Sequence, residues 1–155
     1  MTLTCENETN YQVDLEGLKA EAEFLFGALQ LHPETELAIT LISTADMEEL
    51  HLEWMQEPGA TDILSFPMDE LRPSMDPQPG MLGDIVICPE FVEYDTQRPG
   101  MSLSQRLEFL LVHGMLHLIG YDHATEDEYD VMFAFQDELL VQWQGARGVV
   151  GGERG

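Results

Sequence analysis

The pattern of hydrophobic and polar residues, together with capping and turn signals, predicts five helices along the chain. The pattern is clearest after Asp14, a good N-cap, where apolar residues return once per helical turn as far as His32 and Pro33. Two later helices begin at capping boxes that open at Ser102 and Thr125. The predicted helices cover residues 14–32, 44–55, 90–97, 102–118 and 125–143.

Three apolar stretches have the length and composition of buried strands. ELAITLI (36–42), TDILSF (61–66) and GDIVIC (83–88) are rich in apolar and β-branched residues and are bounded by turn signals. The proline-rich segment 67–80 is predicted to be a mobile loop, and the glycine-rich tail 145–155 is predicted to be disordered. This mixture of helices and strands indicates an α+β (α/β mixed) fold, with a mixed sheet of about four strands covered by about five helices.

The length of the chain limits how many domains it can form. With 155 residues and 44% hydrophobic content, we expect a single domain over residues 1–144. No stretch approaches the about 18 consecutive apolar residues of a membrane span, and the N-terminus lacks the features of a secretory signal. A cytoplasmic protein without membrane contact is therefore expected, with Cys5 and Cys88 as reduced thiols.

The net charge restricts the range of partners. Thirty acidic residues against six lysines and arginines give a net charge of −24. Such a surface repels polyanions, so composition alone argues against a general nucleic-acid binder. The net charge still permits a nucleic-acid-binding protein whose few arginines and metal ion are gathered in one cleft, because a ligand responds to the electrostatic potential of that cleft and not to the net charge. Simple solubility is an equally acceptable explanation of the charge.

The segment HGMLHLIGYDH (113–123) contains three of the five histidines in the chain. His113 and His117 lie one helical turn apart, so both imidazoles can reach one ion. Gly120 can end the helix and turn the chain back, which brings His123 to the same point. Three imidazoles with a fourth position for water are typical of catalytic zinc sites, so one zinc ion per chain is predicted, although imidazole also suits nickel, copper and iron.

Gly114 stands where metzincin proteases, which share this histidine spacing, carry a glutamate. That glutamate serves as the general base in those enzymes, so its absence argues against a metalloprotease or amidase and favours phosphodiester chemistry. The protease alternative stays open because Glu108, Asp122 or Glu126 could supply a carboxylate from another direction. The catalytic group beyond the metal and its water is not identified.

Polar residues flank the second and third strands. Asp62 and Asp84 precede their apolar runs, and Ser65 lies near the end of the second strand. Asp84 could orient a histidine ligand or hold a metal-bound water. It could equally be an edge residue that caps the strand, and Ser65 is a candidate substrate-binding residue.

The histidine segment, together with ATDILSFP (60–67) and MLGDIVICPE (81–90), closely resembles the YbeY family of bacterial metal-dependent endoribonucleases, also called ribosomal RNA maturation factors. The three motifs stand in the family's order, and the resemblance extends to about Trp143. It implies an α/β domain with a mixed sheet and three zinc ligands, His113, His117 and His123. It also implies single-stranded RNA as the substrate, 16S rRNA 3′-end maturation, ribosome quality control, and the small ribosomal subunit and assembly factors as partners. DNA is not expected.

The chain departs from the family at one position. Many members carry an arginine shortly before the motif that corresponds to ATDILSFP, and this arginine is thought to face RNA. Met55 occupies its position here. The remaining candidates for phosphate contacts are Arg72, Arg98 and Arg106. A non-catalytic ribosome-assembly factor with a structural metal is the third hypothesis.

Overall fold

Four strands and five helices form the described part of the chain. The computed structural model describes residues 2–69, 79–94 and 100–150, with side chains as far as residue 147. The predicted α+β class is confirmed. The elements are β1 (Thr2–Asn7), α1 (Leu15–Ala28), β2 (Glu36–Leu41), α2 (Thr44–Met55), β3 (Ile63–Pro67), β4 (Met81–Ile87), α3 (Pro89–Glu93), α4 (Leu103–Leu118) and α5 (Glu126–Val150).

The strands form one mixed sheet in the order β1-β2-β4-β3. β1, β2 and β4 are parallel, and β3 pairs antiparallel with β4 at the edge. The central strands are apolar on both sides because both faces of the sheet are covered.

The two faces of the sheet carry separate hydrophobic clusters. Alternate residues of a strand point to opposite faces. Ile85 and Ile87 therefore join the larger cluster with α1, α4 and α5, whereas Val86 and Leu64 join a smaller cluster with Met47 of α2. The larger cluster covers the face against which α4 packs, and α4 carries two of the three clustered histidines.

Three of the predicted helix starts, those of α1, α4 and α5, are confirmed by their capping hydrogen bonds, whereas Ser43 and not Thr44 caps α2. The Asp14 carboxylate accepts from the backbone N–H of Gly17 at 3.0 Å. Ser102 and Gln105 form a complete capping box on α4. Thr125 and Glu128 exchange the corresponding pair of bonds at the start of α5, at 3.1 and 3.2 Å.

Several element boundaries differ from the sequence prediction. β1 was not predicted, because an edge strand of six residues with two apolar side chains has little hydrophobic signal. α3 ends at Glu93, earlier than residue 97. α5 continues to Val150, so residues 145–150 are helical where a disordered tail was expected. The predicted loop at 70–78 and the tail at 151–155 lie outside the described residues.

The extension of α5 has a clear physical cause. The indole N–H of Trp143 donates to Glu108 of α4 at 3.1 Å, and an Arg147 guanidinium nitrogen lies 2.6 Å from the other oxygen of the same carboxylate. These contacts attach the last turns of α5 to α4 despite the weak helix propensity of Gly145.

Candidate metal centre

Helix α4 brings the first two histidines together. His113 and His117 lie one turn apart, and their Nε2 atoms are 3.1 Å from each other. Two nitrogens bound to one tetrahedral zinc at about 2.0–2.1 Å would lie about 3.3 Å apart. The observed separation is therefore close to that of two ligands of one ion.

The third histidine arrives through a turn that depends on Gly120. Gly120 has φ of 101°, a left-handed conformation that favours glycine. Its N–H donates to the carbonyl of His117 at 3.0 Å, and the next residue, Tyr121, donates to Leu116 at 2.9 Å, which closes the helix end. The ring of His123 then lies 5.6 Å from that of His113 and 5.2 Å from that of His117. One nitrogen of each of the three rings lies within 4.8 Å of the others, so the cluster could hold a metal ion.

Hydrogen bonds to the far side of two rings set their tautomers. Nδ1 of His117 lies 3.0 Å from the carbonyl oxygen of Tyr121, which can only accept, so this nitrogen carries the proton. Nδ1 of His113 lies 3.0 Å from Oε1 of Gln136, whose amide nitrogen donates to the carbonyl of Phe109 at 3.5 Å. In neutral rings, both Nε2 atoms therefore present lone pairs to the same point, an arrangement that a cation stabilises.

Burial favours the neutral form of His117. It lowers the pKa of this imidazole below the usual 6.5, and the nearby His123 lowers it further, while the hydrogen bond to Tyr121 opposes the shift. Metal binding requires unprotonated imidazole. A lowered pKa therefore keeps the ring ready for a metal at pH values where an exposed histidine is partly charged.

A cavity of about 570 Å³ opens beside the histidines. Its walls come from the cluster itself, from β3, from the turn after α4 and from the end of α2. Ser65 of β3 lines it and donates its hydroxyl to the carbonyl of Gly114 at 3.4 Å. Asp62 and Asp122 are the carboxylates among the described lining residues.

Gly114 has a steric reason to be glycine. A Cβ atom at this position would lie 2.9 Å from Cδ1 of Ile63, 3.1 Å from Oγ of Ser65 and 3.3 Å from Cδ1 of Ile85. Helix α4 thus packs so closely on β3 and β4 that any larger side chain must displace them. A glutamate in the metzincin position would point into the sheet, which removes the structural basis for a protease-type base at this position.

Asp84 does not lie with the histidines, which corrects the prediction that it orients one of them. In the sheet register Asp84 pairs with Phe66, and the adjacent Ile85 pairs with Ser65. Ser65 and Ile85 take the face against α4, so the exposed Asp84 points to the opposite face. It lines a separate groove beside α2 that includes Trp54 and Phe66.

Two of the other carboxylates considered from the sequence also lie outside the cavity lining. Glu108 is occupied by the Trp143 and Arg147 contacts described above. Glu126 is an exposed residue in the first turn of α5. Asp122 does line the cavity, and its carboxylate accepts from the backbone N–H of His123 at 2.7 Å.

Sequence reasoning missed three residues of α5, two that contact the histidines and a third that stacks on one of those two. They are Gln136, which is fully buried against His113, and the aromatic residues Tyr129 and Phe133. Periodicity could have indicated that they share a face of α5, but not that this face meets the cluster.

Comparison with known proteins identifies the family. A sequence model described as Endoribonuclease YbeY matches residues 4–144. This chain belongs to the YbeY family. YbeY relatives include the endoribonuclease YbeY of Thermobifida fusca, which is 45% identical over 93% of this chain and 95% of its own. That of Mycolicibacterium smegmatis is 47% identical over 92% and 83%, and that of Acidothermus cellulolyticus is 44% identical over 97% and 96%.

A solved structure supports the fold independently. The solution structure of TM1509 from Thermotoga maritima matches with a TM-score of 0.59 and 22% identity, and the match covers 94% of this chain and 93% of that one. None of the described helices combines the length and apolarity needed to cross a bilayer.

Met55 and Arg106, both considered from the sequence in connection with RNA phosphates, lie in different parts of the structure. Met55 lines the histidine cavity and is 43% exposed. Arg106 does not line it, because its guanidinium donates to the carbonyls of Val92 and Glu93 at 2.9 and 3.1 Å and so attaches α3 to α4. The prediction that Arg106 contacts phosphate is thereby corrected. Arg72 and Arg98 lie outside the described residues.

Proposed function

We propose that this chain is a metal-dependent endoribonuclease that cleaves single-stranded RNA. The observation that carries the proposal is the convergence of the His113 and His117 Nε2 lone pairs near His123, in a chain of the YbeY family. The relatives named above are called endoribonucleases, and an RNA substrate follows from that name.

We further propose that the cluster holds one zinc ion per chain. Three imidazoles, two of them with hydrogen-bonded Nδ1 atoms and with Nε2 atoms 3.1 Å apart, suit a tetrahedral ion with one position open to substrate or water. When bound, the metal supplies Lewis-acid polarisation of a phosphoryl oxygen and lowers the pKa of water.

The residues of the chain supply orientation and proton transfer. Gln136 and the Tyr121 carbonyl fix the rings of His113 and His117. Asp62 and Asp122 are the wall carboxylates suited to accept or return a proton during phosphodiester cleavage. The cavity of about 570 Å³ is large enough for one nucleotide and its phosphate beside the histidines.

The cellular role proposed for this activity is maturation of the 16S rRNA 3′ end and ribosome quality control in the cytoplasm. The small ribosomal subunit and its assembly factors are the proposed partners, and DNA is not an expected substrate. This part of the proposal rests on the resemblance of the three sequence motifs to the YbeY family.

Cleavage of a single-stranded 16S 3′-precursor RNA by purified protein tests the activity. We expect cleavage by metal-loaded protein, loss of cleavage after treatment with a chelator, and recovery on adding Zn²⁺. Duplex RNA and DNA of the same sequence serve as controls and should remain intact. Full cleavage after complete removal of metal would contradict the proposal.

Analysis of the product ends then identifies the attacking group. A 2′,3′-cyclic phosphate would exclude direct attack by water and assign the RNA 2′-hydroxyl as the nucleophile. A linear phosphate formed without a cyclic intermediate would favour water.

A further inference from the structure

Two aromatic side chains of α5 form a stack that leads from solvent to the histidine cluster. Tyr129 and Phe133 lie one turn apart, with ring centroids 4.4 Å from each other and planes inclined by only 27°. Tyr129 is the outer ring and is 50% exposed. Phe133 stacks on one face of the Tyr129 ring, and half of the residue remains open to solvent.

The inner ring of this Tyr129–Phe133 stack touches the proposed metal ligands. The ring centroid of Phe133 is 5.5 Å from that of His113 and 6.2 Å from that of His123. Phe133 also packs against the main hydrophobic core, which fixes its position. The stack is therefore continuous with the reactive centre and is backed by a rigid support.

The charge distribution makes such a surface important for binding. Among the described residues that line the histidine cavity there is no lysine or arginine. The first turn of α5 is acidic, with Glu126, Asp127 and Glu128. The described cavity lining therefore offers no cationic side chain for the phosphate contacts that usually dominate RNA affinity, and a contact to the base gains importance.

We infer that Tyr129, supported by Phe133, is a stacking platform for an unpaired nucleobase next to the cleaved phosphate. Every nucleobase has a π face, so the platform binds single-stranded RNA with little sequence preference. Stacking is insensitive to the acidic surroundings that would repel a phosphate. This inference rests on the proposed endoribonuclease function and names how that site holds its substrate.

Ring-preserving and ring-removing substitutions of Tyr129 test the platform. Tyr129→Leu removes the π face, whereas Tyr129→Phe and Tyr129→Trp keep one. With metal-loaded protein and a short fluorescein-labelled single-stranded RNA, Tyr129→Leu should raise Kd and KM by about five-fold or more and change kcat less. Tyr129→Phe should match the wild type, and Tyr129→Trp should bind at least as tightly. Tyr94→Leu, at an exposed tyrosine directly after α3, is the matched control and should have no effect.

Abasic RNA identifies the base that stacks. A series of oligonucleotides carries one abasic nucleotide at successive positions. At one position the abasic substitution should weaken wild-type binding as much as Tyr129→Leu does, and the two losses should not add in the combined measurement. Each protein is checked for wild-type metal content and thermal unfolding, so that a change in the centre itself is detected.

The outcomes separate this inference from the proposed function. If the wild type binds and cleaves RNA but Tyr129→Leu behaves identically, the stacking platform is refuted and the proposed function stands. If Tyr129→Phe loses as much affinity as Tyr129→Leu, the hydroxyl group is responsible and stacking is again refuted. A wild type that neither binds nor cleaves RNA overturns both.

Discussion

Replacement of Gln136 tests whether the hydrogen bond behind His113 matters for metal affinity. Gln136→Met removes the amide oxygen that lies 3.0 Å from Nδ1 of His113 but keeps an unbranched side chain of similar volume. Because Gln136 is 0% exposed, bulk water has no direct access to the position of the lost oxygen. Loss of such an outer partner of a ligand histidine weakens metal binding by about ten- to a hundred-fold, which corresponds to about 1.4–2.7 kcal/mol.

Competition of the purified protein with a chromogenic zinc chelator measures this change in Kd. Gln142→Met is the matched control, since Gln142 is an exposed residue of the same helix whose amide donates to the carboxylate of Glu138. Gln136→Glu keeps an acceptor oxygen and should restore much of the affinity. Unchanged zinc affinity in Gln136→Met, or an equal loss in Gln142→Met, would refute the reasoning.

Three other substitutions test separate features of the structure. Gly114→Ala should lower the free energy of unfolding by about 1–2 kcal/mol, because overpacking against β3 outweighs the gain in helix propensity. Gly27→Ala, whose added Cβ meets open space, should instead raise the free energy of unfolding by up to about 1 kcal/mol. Chemical denaturation measures both changes. Burial raises the pKa of Glu21 well above its usual 4.5, so the stability that this group contributes is present below that pH and is lost as the pH rises toward its folded-state pKa. Glu21→Gln should therefore raise Tm relative to the wild type at pH values above 4.5 and progressively less below, while the exposed Glu23→Gln should not; a pH-independent difference would contradict this. Met55→Arg should tighten RNA binding and steepen the dependence of log K on log salt concentration by about 0.7 if a phosphate passes the cavity rim, and an unchanged slope would exclude that path.

The histidine cluster was predictable because its determinants are local in sequence. Two ligand positions follow from the helical repeat of α4, and the third follows from the turn at Gly120, three residues after His117. The capping residues of α4 and α5 could be predicted for the same reason. The cluster lies within eleven consecutive residues and each capping box within four, so the local backbone geometry of a helix and its ends places these side chains.

The surroundings of the cluster were not predictable, because they depend on packing between distant elements. Gln136 reaches His113 only because α5 folds back along α4. Arg106 precedes His113 by two helical turns and shares its face of α4, yet it is held by the carbonyls that end α3. No local pattern in the sequence encodes either contact.

The position of Asp84 illustrates a limit of strand patterns. Apolar residues lie on both faces of β4, so its sequence does not alternate between apolar and polar residues in a way that identifies the face toward α4. Only the pairing of Ser65 with Ile85, and of Phe66 with Asp84, decides which residues meet the histidines. A shift of one residue in the pairing of β3 with β4 would exchange the residues that face α4 with those on the opposite face of the sheet.

Metal content and RNA cleavage, measured on the same preparations of wild type and His117→Ala, test the central claim most directly. His51→Ala is the matched control, because His51 lies outside the cluster and contacts Gly59 and Glu57. The account predicts one zinc ion per chain and RNA cleavage in the wild type and the control, and loss of both in His117→Ala with the fold retained. Full metal content together with full RNA cleavage in His117→Ala would contradict it.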